Sequence, residues 1–150
     1  MELFIDADAC PVTRICVEVC RSLGIPVTLV SDDSHFFDIE GTRIVNVCRG
    51  RDSADLYLVN LLHKGDAVIT QDYGLAALCL SRNAHVMDQN GRIYTEDNIN
   101  TLLAMRHLSA VERRKGTHIH SHTKRNAEQN QSFRNAVAVW LKELNIQSKE

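Results

Sequence analysis

No stretch of this 150-residue chain approaches the roughly 18 consecutive apolar residues of a membrane-spanning helix, so no membrane partner is expected. The opening Met1-Glu2-Leu3-Phe4-Ile5-Asp6 has no basic segment and no small-residue cleavage site, which argues against a secretory leader. The five cysteines are an odd number and contain no C-x-x-C pair. Neither a disulfide framework nor a zinc ribbon fits that pattern, and a reduced cytoplasmic protein is the expectation. There is no internal repeat and no low-complexity tract. Aromatic residues are only 5% of the chain and scarcely occur among its basic residues, so base stacking is not evident.

What is present suits one packed domain spanning residues 1–150. Apolar residues make up 44% and charged residues 24%, enough for a core and too balanced for wholesale disorder. The net charge of −2 hides an asymmetry: residues 1–97 carry 8 basic and 15 acidic side chains, residues 98–150 carry 9 and 4. A polyanion should meet the later, basic part.

Apolar runs predict strands at Leu3-Phe4-Ile5, at 27–30, at 43–48 and at 67–70. Between them, a helix opening at Pro11 carries Val12, Ile15, Cys16, Val19, Cys20 and Leu23 on one face and stops at Gly24. Further helices are predicted at 53–63, at 75–81, from the Thr95 cap to about Arg114, and at 132–144. Asn90-Gly91 between two extended runs predicts a hairpin over 85–94, at a sheet edge or outside the core. The alternation of strands and helices implies βαβ units and a mainly parallel sheet, with the first and fourth strands adjacent.

In such sheets ligands bind beyond the carboxyl ends of the strands. Asp6 and Asp8 follow the first strand, Asp52 and Asp55 the third, and Asp72 the fourth. Three segments thus bring carboxylates to one rim. Like charges gathered there repel unless a proton or cation intervenes, and Mg²⁺ or Mn²⁺ is the natural partner for hard carboxylate oxygens. Structural readings stand beside this one. Asp52 suits an N-cap with Asp55 at N3, Asp72 suits the cap of the third helix, and Asp8 lies close to a helix start.

Four stretches resemble the YaiI/YqxD family of bacterial proteins: Asp6-Ala7-Asp8-Ala9-Cys10-Pro11, Arg51-Asp52-Ser53-Ala54-Asp55, Gly65-Asp66-Ala67-Val68-Ile69-Thr70-Gln71-Asp72, and Gly91-Arg92-Ile93-Tyr94-Thr95-Glu96-Asp97-Asn98-Ile99 running on to Met105-Arg106. That family is regarded as PIN-like, so the resemblance implies a three-layer α/β/α sandwich whose acidic cluster holds Mg²⁺ or Mn²⁺ for RNA hydrolysis. It implies catalytic and metal roles for Asp6, Asp55 and Asp72, with Asp8 and Asp52 as further metal-site acids. The chain departs from the family at the Thr-Gly-Gly-Pro element expected near Gly116, where it reads Thr117-His118-Ile119-His120-Ser121-His122.

Arg106, Arg113, Arg114, Lys115, Lys124 and Arg125 face a single acid, Glu112, within residues 106–125. This segment suits a phosphate backbone and equally suits a solvated face. His118, His120 and His122 alternate as transition-metal ligands would in a strand, or form a solvated loop. Cys10 beside a helix N-terminus suits a lowered pKa, but no neighbouring His offers a base, so a thiol nucleophile is not expected, while Cys16 and Cys20 belong to an apolar face. The leading expectation is a metal-dependent nuclease or phosphodiesterase acting on RNA. Two alternatives remain: a haloacid-dehalogenase-like phosphatase, whose nucleophile motif Phe4-Ile5-Asp6-Ala7-Asp8 resembles, and a non-catalytic RNA-binding or regulatory module.

Overall fold

The computed structural model describes residues 1–8, 10–32, 38–48, 53–115 and 124–150. Six strands and five helices follow in the order β1 (Leu3–Asp6), α1 (Thr13–Leu23), β2 (Val27–Asp32), β3 (Arg43–Val47), α2 (Ser53–Leu61), β4 (Ala67–Ile69), α3 (Tyr73–Ser81), β5 (His85–Met87), β6 (Ile93–Tyr94), α4 (Glu96–Arg114) and α5 (Ala127–Gln147). The strands form one sheet in the order β3-β2-β1-β4-β5-β6. The first five are parallel and β6 is antiparallel to β5. This is the three-layer, mainly parallel architecture that the strand–helix rhythm predicts, with β1 and β4 adjacent.

Successive strand residues point to opposite faces, and β1 divides its apolar run accordingly. Leu3 and Ile5 enter a core with α1 and α5, through Val12, Cys16, Cys20, Phe133, Val137 and Leu141. Phe4 enters a second core with α2, α3 and α4, through Leu58, Leu75, Cys79 and Ile99. A strand covered on both faces needs no polar side, which is why the run reads as continuously apolar.

The element boundaries shift where local chemistry intervenes. The α1 helix begins at Thr13 because Val12, at φ −115, is not yet helical; it ends at Gly24, whose φ of 68 favours glycine. The last helix starts at Ala127, six residues before its apolar periodicity begins at Phe133. Asn126 accepts from the Gln129 N–H at 2.9 Å and Gln129 returns the bond to the Asn126 N–H, a reciprocal cap built from polar residues.

The 85–94 hairpin lies at the sheet edge through β6, but β5 is a core strand paired in parallel with β4, and Val86 and Met87 are buried. Asp88 shapes the turn by accepting the Asn90 and Arg92 N–H groups, each at 2.8 Å. Gly91 is at φ 85, and a Cβ there would stand 2.9 Å from that of Ala136 on α5. Arg125 fastens the same turn to α5. Its guanidinium donates to the Gln89 carbonyl at 2.7 Å, Asn90 Oδ1 at 3.1 Å, Asn130 Oδ1 at 2.6 Å and the Gln129 carbonyl at 3.3 Å, and lies over the Phe133 ring.

Candidate functional site

From β1 the chain passes outward to β2 and β3, then returns on the other side as β4. The carboxyl ends of β1 and β4 therefore flank the switch point at which open α/β sheets bind ligands. Asp6 ends β1, and Thr70 directly follows β4. The Thr70 hydroxyl, almost wholly buried, donates to Asp6 Oδ2 at 2.8 Å and accepts the Asp72 N–H at 3.0 Å. One side chain thereby fixes the rotamer of one acid and the backbone of another.

Burial pushes the Asp6 carboxyl from an ordinary 3.8 up to about 7. The Thr70 hydrogen bond opposes that rise, and the negative charges of Asp55, Asp8 and Asp72 add to it, in that order. Asp72 caps α3: its Oδ1 accepts the N–H groups of Gly74 at 2.8 Å and Leu75 at 3.1 Å. Asp55 stands in the first turn of α2. Asp8 Oδ2 accepts the Asp32 N–H at 2.9 Å, joining the ends of β1 and β2.

A cleft of about 890 Å³ brings Asp6, Asp8, Asp55 and Asp72 together, and Arg92, Arg106 and Arg113 line it as well. The three arginines come from the hairpin and α4. Arg106 Nη1 lies 3.7 Å from Asp72 Oδ1. Of the basic residues expected to bind nucleic acid, Arg106 and Arg113 reach this cleft. Arg114 and Lys115 are exposed at the end of α4 and Lys124 is exposed before α5, none of them on the cleft wall. Arg125 takes a different role: its donors are engaged by the turn and α5, so it clamps the fold. Asp52 and the histidines His118, His120 and His122 lie outside the described residues.

Thr70 and Arg92 are site residues that the sequence expectations omit. Thr70 belongs to the Thr-Gln-Asp element beside Asp72, and Arg92 directly follows the Asn-Gly turn, so the signal that marks each of them is its neighbour's. Cys10 departs from its expected lowered pKa. Burial raises its thiol pKa, outweighing the hydrogen bonds with Thr13 and the Val12 backbone that lower it, so it is no ready nucleophile. Cys16, Cys20 and Cys79 are buried, as an apolar face requires.

The donor chemistry fits a hard divalent cation, because several carboxylate oxygens share one cleft and their mutual repulsion is what a cation relieves. Among the described residues, however, no three acidic, histidine or cysteine side chains gather tightly enough to form a finished metal cage. Mg²⁺ takes one or two carboxylates and keeps several waters, so a finished cage is not a condition for binding it. No described helix is long and apolar enough to cross a membrane.

The profile of the family described as "Uncharacterized BCR, YaiI/YqxD family" matches residues 4–143. A UPF0178 protein of Natranaerobius thermophilus is 41% identical over 150 residues, covering 99% of each chain. One of Ruminiclostridium cellulolyticum is 40% identical over 142 residues, covering 95% of this chain and 93% of the relative. One of Staphylococcus saprophyticus is 46% identical over 118 residues, covering 77% of each. No solved structure matches. A match from the first strand to the last helix, with relatives of nearly the same length, places this chain in the YaiI/YqxD family.

Proposed function

We propose that the protein is a nuclease or phosphodiesterase acting on RNA with Mg²⁺ or Mn²⁺. The observation that carries the reading is the composition of the cleft: four carboxylates, from the ends of β1 and β4 and the first turn of α2, share it with three arginines. That combination suits a phosphodiester, whose charge needs cations on both the attacked phosphate and its neighbours. Asp6, Asp55 and Asp72 are the metal-holding acids in this reading, with Asp8 and Asp52 in support. The bound metal supplies positive charge at the phosphoryl oxygens and water of lowered pKa.

The chain's own residues do the rest. Thr70 holds Asp6 in one rotamer, so this acid need not reorganise on binding. Asp72 is held by the α3 N-terminus. Arg92 and Arg113 take phosphates of the strand, and Arg114, Lys115 and Lys124 extend the positive field beyond the cleft.

The test is incubation of the full chain with labelled single-stranded RNA in Mg²⁺ or Mn²⁺. Cleavage that is lost in Asp6→Asn, while the RNA is still bound, is the expected result. Binding without turnover under every condition refutes catalysis and leaves the RNA-binding module. A burst of phosphate from a small phosphomonoester instead indicates the dehalogenase-like phosphatase.

A further inference from the structure

Arg106 stands where two cavities meet. Beyond the carboxylate cleft lies a second hollow of about 410 Å³, floored by Leu56, Leu75 and Leu78. Asp55, Asp72 and Arg106 line both. The Asp72 Oδ1 that faces the guanidinium already accepts two backbone N–H groups, so Arg106 adds to an oxygen well supplied with donors. Arg106 is also more than half exposed. A contact this long and this open is worth at most about a fivefold preference, which makes it easy to exchange.

We propose that Arg106 is the cleft's own counter-ion: it pairs with Asp72 while no divalent cation is bound, and turns to an RNA phosphate once Asp72 is taken by one. The inference rests on the metal-dependent reading above. Two positive groups converging on one carboxylate repel each other, so Arg106 opposes the cation in the absence of RNA. A planar guanidinium released from Asp72 matches a phosphate in two parallel hydrogen bonds. Cation and RNA therefore strengthen each other's binding, and linkage requires the effect to be reciprocal. Arg106 thus does two things in sequence, which a fixed phosphate anchor such as Arg113 does not.

The test begins with Mn²⁺ alone, titrated by calorimetry into the full chain, Arg106→Gln, Arg106→Lys and Lys142→Gln. Lys142 is exposed on α5 outside the cleft, so its variant controls for the loss of one positive charge. Arg106→Gln should bind Mn²⁺ about two- to fivefold tighter than the wild type, Lys142→Gln should not, and Arg106→Lys should stay near the wild type. Anisotropy with a fluorescent 2′-O-methyl RNA, checked for intactness on a gel, should then show that Mn²⁺ strengthens wild-type binding more than Arg106→Gln binding. An Arg106→Gln Mn²⁺ affinity that moves no more than that of Lys142→Gln, or an unchanged Mn²⁺ enhancement of RNA binding, overturns the inference alone. A wild type that binds no Mn²⁺ overturns the metal-dependent reading and this inference with it.

Discussion

Replacing Asp6 by Asn should stabilise the metal-free protein at neutral pH, and the size of the effect follows from the site. Asp6 titrates near 3.8 in the unfolded chain and near 7 in the folded one. Between those values the native state holds the extra proton, so stability falls as pH rises through that window and levels off above it. A gap of three units corresponds to on the order of 4 kcal/mol. Solvent reaching the open side of the carboxyl screens part of this, and a working expectation is about 2 kcal/mol. Urea unfolding in EDTA at pH 5 and pH 8 reads the effect as a shift in midpoint at constant slope. The wild type should lose about 1 kcal/mol more than Asp6→Asn between the two values, since pH 5 already lies inside the window; Asn keeps an oxygen for the Thr70 hydroxyl but carries no charge. Mn²⁺ at a hundred times its Kd should return about 2.7 kcal/mol to the wild type at pH 8 and much less to the variant. Parallel pH profiles for the two proteins refute the argument that Asp6 is ionised against its surroundings.

Three further outcomes are expected. Thr70→Val leaves the half-buried Asp72 N–H without its acceptor and removes a donor to Asp6, so urea unfolding should show a loss of about 1 kcal/mol or more, and the Asp6 pKa, read by NMR titration, should rise further. Arg113→Ala should account for most of the RNA affinity lost in the combined Arg113, Arg114 and Lys115 alanine variant, because only Arg113 of the three lines the cleft; each lost phosphate contact should flatten the logarithmic salt dependence by about 0.7, read by fluorescence anisotropy. Gly91→Ala must place a methyl 2.9 Å from Ala136 at a positive φ, and a clear drop in melting temperature is expected, with its size set by how far α5 can yield.

The sheet is legible in the sequence because its central strands β1, β2 and β4 are buried on both faces. Leu3-Phe4-Ile5 can be recognised without knowing which helix covers which residue. The acids at the strand ends are legible for a related reason, since a parallel sheet sends every strand's carboxyl end to the same rim. Arg125 shows the limit: its acceptors at Gln89 and Asn90 lie 36 and 35 residues away, and nothing local distinguishes a guanidinium used in packing from one that meets a ligand. The start of α5 was hidden differently, because apolar periodicity begins at Phe133 while the helix is nucleated by an amide cap in a polar stretch. Asp72 fits both of its sequence readings at once, as the cap of α3 and as a residue of the cleft.

The α4 helix has 19 residues, of which only Ile99 is fully buried. Its first turn is fixed by the Thr95–Asn98 capping box, with Asn98 also donating to the Ile93 carbonyl at 2.9 Å. Leu102 and Leu103 pack against the same core as Ile99, so Arg113 rides about 15 Å along a rod beyond its last anchored turn. A tilt of five degrees there displaces the arginine by roughly 1 Å, the difference between a direct hydrogen bond and none. The reach of the basic wall is thus governed by leverage: substitutions at Thr95, Asn98 or Ile99, far from any phosphate, should alter the spacing between arginines and carboxylates more than substitutions among the exposed residues beside Arg113.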